Sequence, residues 1–397
     1  MVKRHYHAIV IGCGGIGSAA TYWLSRRAGN EILALEQFPL GHERGSSQDH
    51  SRIIRRSYHD ARYIALAKPA FDHWAEVEQA SGIQLIQLTG GLDLELIGTT
   101  GIKDLAHCAA SMREQGIEHE ELDAQEVMKR WPQFRLPDNA RGLYQADAGL
   151  VDARKANAVH VALARGNGAT IVDNAPVREI RPESDGVDVV TDAETYRAEQ
   201  VVIAAGAWTG PLLAQIGVNW PLTVTQEQVT YFATPHIRDF SPDRFPIWIW
   251  RAPDEFYGFP VYGEVATKAG QDVGGEEVTA ETRTFEPSAA TRDRLICFLD
   301  KHIPNFAGPE LVTKTCLYTM PPDRHFVIDS VHPSMRVTAV ADAAHAFKFA
   351  SILGRILSDL AIDGSTNYPI ESFTANRPAI TDPSFQPIFR NEAVLSA

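Results

Sequence analysis

The feature of this sequence that points most directly to chemistry is the run Gly12-Cys13-Gly14-Gly15-Ile16-Gly17, followed downstream by Glu36. In a turn between a strand and a helix these glycines have separate tasks. Gly12 permits the tight exit from the strand, Gly14 lets backbone N–H groups approach a pyrophosphate, and Gly17 lets helix and strand pack closely. Glu36, at the end of the next predicted strand, is placed to accept ribose hydroxyls. A structural turn with a surface glutamate would need no ligand, but strand, turn, helix and acid in this order favour a bound dinucleotide. The hexapeptide does not separate NAD from FAD. Cys13, Cys108, Cys297 and Cys316 are widely spaced and form no CxxC pair, so neither a zinc site nor a disulfide framework is indicated. His345 and Lys348 lie three apart and are spaced to share a helical face, although such a pair alone defines no reaction.

The elements that must hold these residues alternate along the chain. His7 to Ile11 and Glu31 to Leu35 are short apolar runs suited to buried parallel strands, and the segment from Gly14 to Arg27 between them is predicted helical. This is a βαβ opening. Helices are predicted over 61–79, 101–116, 123–130 and 347–362, and strands over 90–96 and 337–340. A further parallel-type strand, Gln200 to Gly206, ends in small residues before Ala207 and Trp208. Such a strand commonly lies against the dinucleotide in flavoproteins with a two-part domain. Val177 to Ile180 and Gly186 to Val190 resemble the segments flanking the adenine in that group. Residues 222–285 are rich in aromatics with strand-like alternation and imply a second sheet.

Composition narrows the class further. A chain of 397 residues is about right for two domains, and 44% hydrophobic with 22% charged residues is ordinary for a soluble protein. A net charge of −13 with no basic stripe argues against a nucleic-acid partner, and no apolar run is long enough for a bilayer span. Residues 1–5 lead straight into a strand, leaving no room for a signal peptide, so a cytoplasmic location is expected.

Several ordered motifs then make the sequence specific. They are the glycine turn; Gly45-Ser46 leading to Arg52-Ile53-Ile54-Arg55; Arg130-Trp131-Pro132; and Tyr257-Gly258-Phe259-Pro260 with Lys268. They continue with Lys314-Thr315-Cys316-Leu317-Tyr318, His325 to Asp329, His345 to Phe349, and Asn376-Arg377-Pro378. Over nearly its whole length the chain resembles the monomeric sarcosine oxidase and N-methyltryptophan oxidase family of FAD-dependent amine oxidases. The resemblance implies an α/β fold. A discontinuous FAD-binding Rossmann-like domain (1–86, 146–218, 312–385) would carry a substrate domain on a mixed β-sheet (87–145, 219–311), with 386–397 as a C-terminal tail.

The same resemblance assigns roles. Gly12, Gly14, Gly17 and Glu36, with Ser46, Arg52, Val177 and Gly206, would line the FAD, and Lys348 would also adjoin it. Cys316 matches the cysteine that forms a thioether to the flavin ring, with Lys314 as an electropositive neighbour able to favour the thiolate. Arg55 and Lys348 match the pair that clamps a substrate carboxylate by charge-assisted hydrogen bonds. Lys268 matches the lysine that activates oxygen, where a fixed positive charge stabilises nascent superoxide. Arg52, His345 and Tyr257 join the catalytic group, and Tyr257 and Tyr318 border the substrate cavity.

Departures from the family pattern bear on the substrate. Ala341, Ala343, Ala344 and Ala346 replace glycines around His345, and Asp342 stands where an aromatic is common. Asp272 replaces a histidine, Ser47-Gln48 replaces a histidine pair, and Trp248 and Trp250 lie on a segment expected to wall the cavity. The expected activity is oxidation of an N-methyl or N-alkyl amino acid by a monomer, with O2 as acceptor and hydrogen peroxide as product. An oxidase or dehydrogenase of another polar substrate, with Asp342 and Asp272 as ligands, and a non-catalytic flavin-binding protein are the alternatives.

Overall fold

The computed structural model describes residues 3–98, 104–251, 254–332 and 336–388. Its first strand, His5–Ile11, is nearly all buried and pairs in parallel with both Ile32–Leu35 and Thr195–Ile203. Val337–Ala341 continues the parallel array beside Thr195–Ile203, and Thr170–Val172 closes the other side. Antiparallel strands Val177–Pro182, Val187–Thr191 and Val327–His332 complete an eight-stranded sheet. Alternate residues of the central strands enter two different cores: Ala8 and Val10 pack on one side, Ile9 and Ile11 on the other. Burial on both faces explains why these strands read as continuous apolar runs rather than alternating ones.

The helix Gly15–Ala28 covers one face and packs against Ala153–Gly166 and Ala350–Asp363. Its approach to the last helix is close: a Cβ on Gly354 would fall 2.5 Å from the Ala19 carbonyl carbon. No described helix is long and apolar enough to cross a membrane.

A second, nine-stranded mixed sheet is assembled from Gly91–Leu96, Glu120–Asp123, Ala140–Gln145 and the strands between Thr223 and Met320. It is mostly antiparallel, with Ile247–Trp250 running parallel to Gly91–Leu96. Three short strands, Arg52–Ile54, Ile86–Leu88 and Gly149–Val151, form a third sheet. The polypeptide therefore enters the first sheet, leaves for the second, returns, leaves again and returns once more, as the discontinuous α/β reading requires.

Two expectations need correction. The strand Glu310–Met320 lies almost entirely within the portion assigned to the dinucleotide domain, yet it belongs to the second sheet. It runs antiparallel to Thr223–Phe232 from Met320 opposite Thr223 to Glu310 opposite Phe232, and this long ladder satisfies its backbone. The helix predicted over 347–362 begins later, at Ala350, after a 3-10 turn over Phe347–Phe349. The expected helix over 101–116 is seen as Leu105–Glu114, its first residues falling outside the described ones, as does most of the tail.

Candidate active site

The turn after the first strand is closed by Gly12, whose N–H donates to the Leu35 carbonyl at 2.8 Å with φ of 93°. A Cβ on Gly17 would lie 2.0 Å from the Gly12 oxygen, so only glycine permits this crossing of turn and helix. Glu36 is buried, and its carboxylate accepts the N–H groups of Cys13 at 2.8 Å and Phe38 at 3.1 Å. Gly12, Gly14, Glu36, Val177 and Gly206 border one cleft, which also takes in Arg165, Arg178 and Trp208. Gly17 sits behind the turn and shapes it without lining the cleft.

A second cavity opens from this cleft. Gly15, Ile16, Ser46, Ser47, Gln48, Asp49 and Asp342 line both, so the two spaces adjoin. Ser46 and Arg52 brace the junction. The Ser46 hydroxyl donates to the Leu317 carbonyl, and Arg52 donates to the carbonyls of Ser46 at 2.9 Å and Gln48 at 2.6 Å.

On the second cavity's wall stands Lys268, second residue of the buried strand Thr267–Gln271, between register partners Tyr231 and Phe259. Its ammonium lies 4.7 Å from the Phe259 ring centre, donates to the Ser51 carbonyl at 2.9 Å, and meets Asp49 Oδ2 at 2.6 Å. Burial pushes its pKa down to about 8, although Asp49 acts to hold it up. Cys316 lines the same cavity, and burial pushes its thiol up to about 11. Arg52 is the leading cation that counters this. Lys314, expected to play that part, directs its ammonium to Asp49 Oδ1 at 3.5 Å instead.

Arg55 and Lys348 are brought together over Tyr58. The Arg55 guanidinium carbon is 4.6 Å and the Lys348 ammonium 5.9 Å from that ring's centre. Arg55 donates to Ser57 Oγ at 2.9 Å and pairs with Asp93 at 3.4 Å, leaving its buried Nε without a partner. Lys348 donates to the His345 carbonyl at 2.8 Å. Burial, with Arg55 nearby, pushes its pKa down to about 7. His345 and Lys348 thus meet through a backbone carbonyl in a turn, and not across one face of a helix as their spacing suggested. The His345 ring stacks on Phe326 at 4.9 Å, and burial holds its pKa well below the usual histidine range.

Tyr257 and Tyr318 both line the cavity, and burial pushes both phenols above their ordinary range. Trp250 does not reach it. Its ring is 4.5 Å from His302 and joins the core under the helix Ala289–His302, while Ile249 and Arg251 face the cavity. Trp248 points the same way as Trp250, because strand alternation gives the two residues one side. Asp342 lies at the junction, not in the clamp: it forms no ion pair with Arg55 or Lys348, and burial pushes its pKa up to about 6. Asp272 is paired with Arg324 at 2.8 Å. Sequence reasoning missed Asp49, Asp93, Arg251 and Arg324, whose partners are distant in the chain. The i,i+3 spacing of Asp49 and Arg52 was the one local signal.

The sequence profile of the FAD dependent oxidoreductase family matches residues 7–360. A monomeric sarcosine oxidase from Streptomyces avermitilis is 35% identical over 94% of this chain and 98% of its own. An N-methyl-L-tryptophan oxidase from Salmonella heidelberg is 30% identical over 94% of this chain and 99% of its own. Among solved structures, NikD, an unusual amino acid oxidase essential for nikkomycin biosynthesis, superposes with a TM-score of 0.83 at 28% identity. That likeness covers 94% of this chain and 98% of NikD.

Proposed function

From the premise that this chain belongs to the FAD dependent oxidoreductase family, we propose that it oxidises a secondary amine of the N-methyl or N-alkyl amino-acid type, with O2 as electron acceptor. The observation that carries this reading is that the glycine-turn cleft adjoins, through shared lining residues, a cavity holding Lys268 and Cys316, and the Arg55–Lys348 pair. The cleft fits an FAD: its turn excludes a Cβ at Gly12 and Gly17, and Glu36 sits where ribose hydroxyls would be received. Gly14, Ser46, Arg52, Val177 and Gly206 would hold the remainder. Bound flavin would supply the two-electron acceptor that takes a hydride equivalent from the amine and passes electrons to O2, yielding hydrogen peroxide.

The chain's own residues divide the remaining work. Arg55 and Lys348 hold the carboxylate, fixing the direction of the C–H bond to be broken. Tyr257 and Tyr318 wall the amine, and Lys268 offers positive charge to reducing oxygen. His345, kept neutral, supports the Lys348 loop and shapes the cavity. Cys316 is the site of covalent attachment in this reading, which its place on the cavity wall supports. The protein acts as a monomer in the cytoplasm. In support, one chain forms both cavities, and its four cysteines are all unpaired.

A second reading is favoured by the Arg324–Asp272 pair and Glu255 on the cavity wall: a hydroxylated or cationic amine as substrate. Assaying a panel of amines for peroxide decides between them. Turnover of N-methyl amino acids supports the first reading, and turnover of polar amines alone supports the second. Flavin that is bound but never reduced by any amine overturns both. Acid precipitation tests the flavin bond: a yellow pellet from wild type and a colourless one from Cys316→Ala are expected.

A further inference from the structure

Asp49 has no role in the family resemblance, yet its carboxylate, on the cavity wall, is heavily engaged. It adopts φ of 81°, a left-handed conformation rare outside glycine, though asparagine and aspartate tolerate it best. Its side chain is 3% exposed. Tyr231 donates to Oδ1 at 2.5 Å, and three cations converge on the group: Lys268 at 2.6 Å, Lys314 at 3.5 Å and Arg52 at 3.8 Å. No other carboxylate among the described residues forms an ion pair with any of the three. The Lys268 contact is a close ion pair off the ideal hydrogen-bond angle, because the ammonium also serves the Ser51 carbonyl and Oγ.

We propose that Asp49 is a positioning residue for the oxygen half-reaction, an internal counter-ion that keeps the Lys268 ammonium charged and fixed at the cavity wall. This rests on the role given to Lys268 above. Lys268 is 2% exposed and shares the Asp49 carboxylate with Arg52 on Oδ2 and with Lys314 on Oδ1. Without the carboxylate, burial and two neighbouring cations all favour the neutral amine, which has no charge to offer reducing oxygen. The positions of the two partners agree: Lys268 and Arg52 hold the Asp49 carboxyl well below its usual range despite burial, so the anion persists wherever the lysine is charged.

The test uses Asp49→Asn, which keeps the shape and tolerates the backbone, and Asp49→Gly, which also relieves it. Each holoenzyme is reduced chemically without air and mixed with oxygenated buffer from about pH 6 to about pH 10, bracketing both the perturbed and ordinary lysine ranges. Wild-type reoxidation should fall as pH rises through about 8. In both variants it should be slower at pH 7 by roughly tenfold or more, with the inflection displaced to lower pH. Sulfite binding, read at equilibrium as bleaching of the flavin absorbance, should weaken at pH 7 in parallel.

A Lys268→Met background separates the possible failures. If Asp49 acts through Lys268, Asp49→Asn changes reoxidation no further in that background. If Lys268→Met alone leaves reoxidation unchanged, the role given to Lys268 fails first. If Lys268→Met slows it but both Asp49 variants match or exceed wild type, the counter-ion proposal is overturned, and the pair instead quenches the lysine's charge.

Discussion

The candidate site holds two lysines in opposite electrostatic situations, Lys268 fully buried and Lys348 partly so. Lys268 sits 2.6 Å from Asp49, and its charge is answered from within the protein. Lys348 is bonded to a backbone carbonyl, and among the described residues no carboxylate lies within ion-pair distance of it. Burial disfavours the charged form of both, yet only the first has a counter-ion built in. A cation with a built-in counter-ion keeps its charge without any ligand. One stabilised only by a carbonyl dipole gains an ion pair when a carboxylate arrives. On the proposed reading the difference divides the two lysines' work: Lys348 receives an anionic substrate, and Lys268 keeps its charge whether or not substrate is present.

The sharpest way to break this comparison is at Lys268. Lys268→Met should slow flavin reoxidation on the order of a hundredfold while changing reduction by substrate far less. Stopped-flow measurement of each half-reaction checks it, and equal slowing of both would give the two lysines one function. Arg55→Ala should weaken carboxylate ligands by roughly one to two powers of ten, from loss of a charge-assisted contact of about 1.5–3 kcal/mol. Titration followed by flavin absorbance reads this, and reoxidation of the reduced variant should hardly change.

Affinity for a simple carboxylate such as acetate probes Lys348 through pH. Its pKa in the free protein is lowered to about 7, so the binding-competent ammonium predominates below that value and is lost above it. Affinity should be flat below about pH 7 and fall up to tenfold per unit above it, until the raised pKa of the complex is reached. Affinity that rises with pH would exclude Lys348 from the clamp. The smallest effect concerns the loop leading to Lys348, where Ala343 and Ala344 hold φ of 51° and 68°. Ala344→Gly should raise stability by about 1 kcal/mol, about one degree in Tm by calorimetry, through relief of the left-handed alanine. The oxygen half-reaction should not respond.

The parts of this site built from backbone were legible in the sequence. Gly12 and Gly17 report a turn geometry that only glycine allows, and the strand before them and helix after them are local features. The alanines around His345 were legible as departures, and two of them prove to occupy left-handed positions. Partnerships across the fold were not legible. Asp49 meets Lys268, and Asp272 meets Arg324, only because separate strands and loops converge, and no spacing encodes that. Trp250 fails for another reason. The strand Ile247–Trp250 is apolar on both faces, so alternation could not tell the cavity side from the core side.

The order of strands in the first sheet also has a kinetic side. His5–Ile11 finds its neighbour at Thr195–Ile203, and that strand finds its own at Val337–Ala341. The edge against which the dinucleotide turn is organised therefore stays incomplete until most of the chain has left the ribosome. Such distant pairings close slowly, because loop entropy is lost before any contact rewards it. Flavin is thus expected to be acquired after synthesis, as the last event that locks an already threaded chain, and truncation before Ala341 should leave a polypeptide unable to retain it.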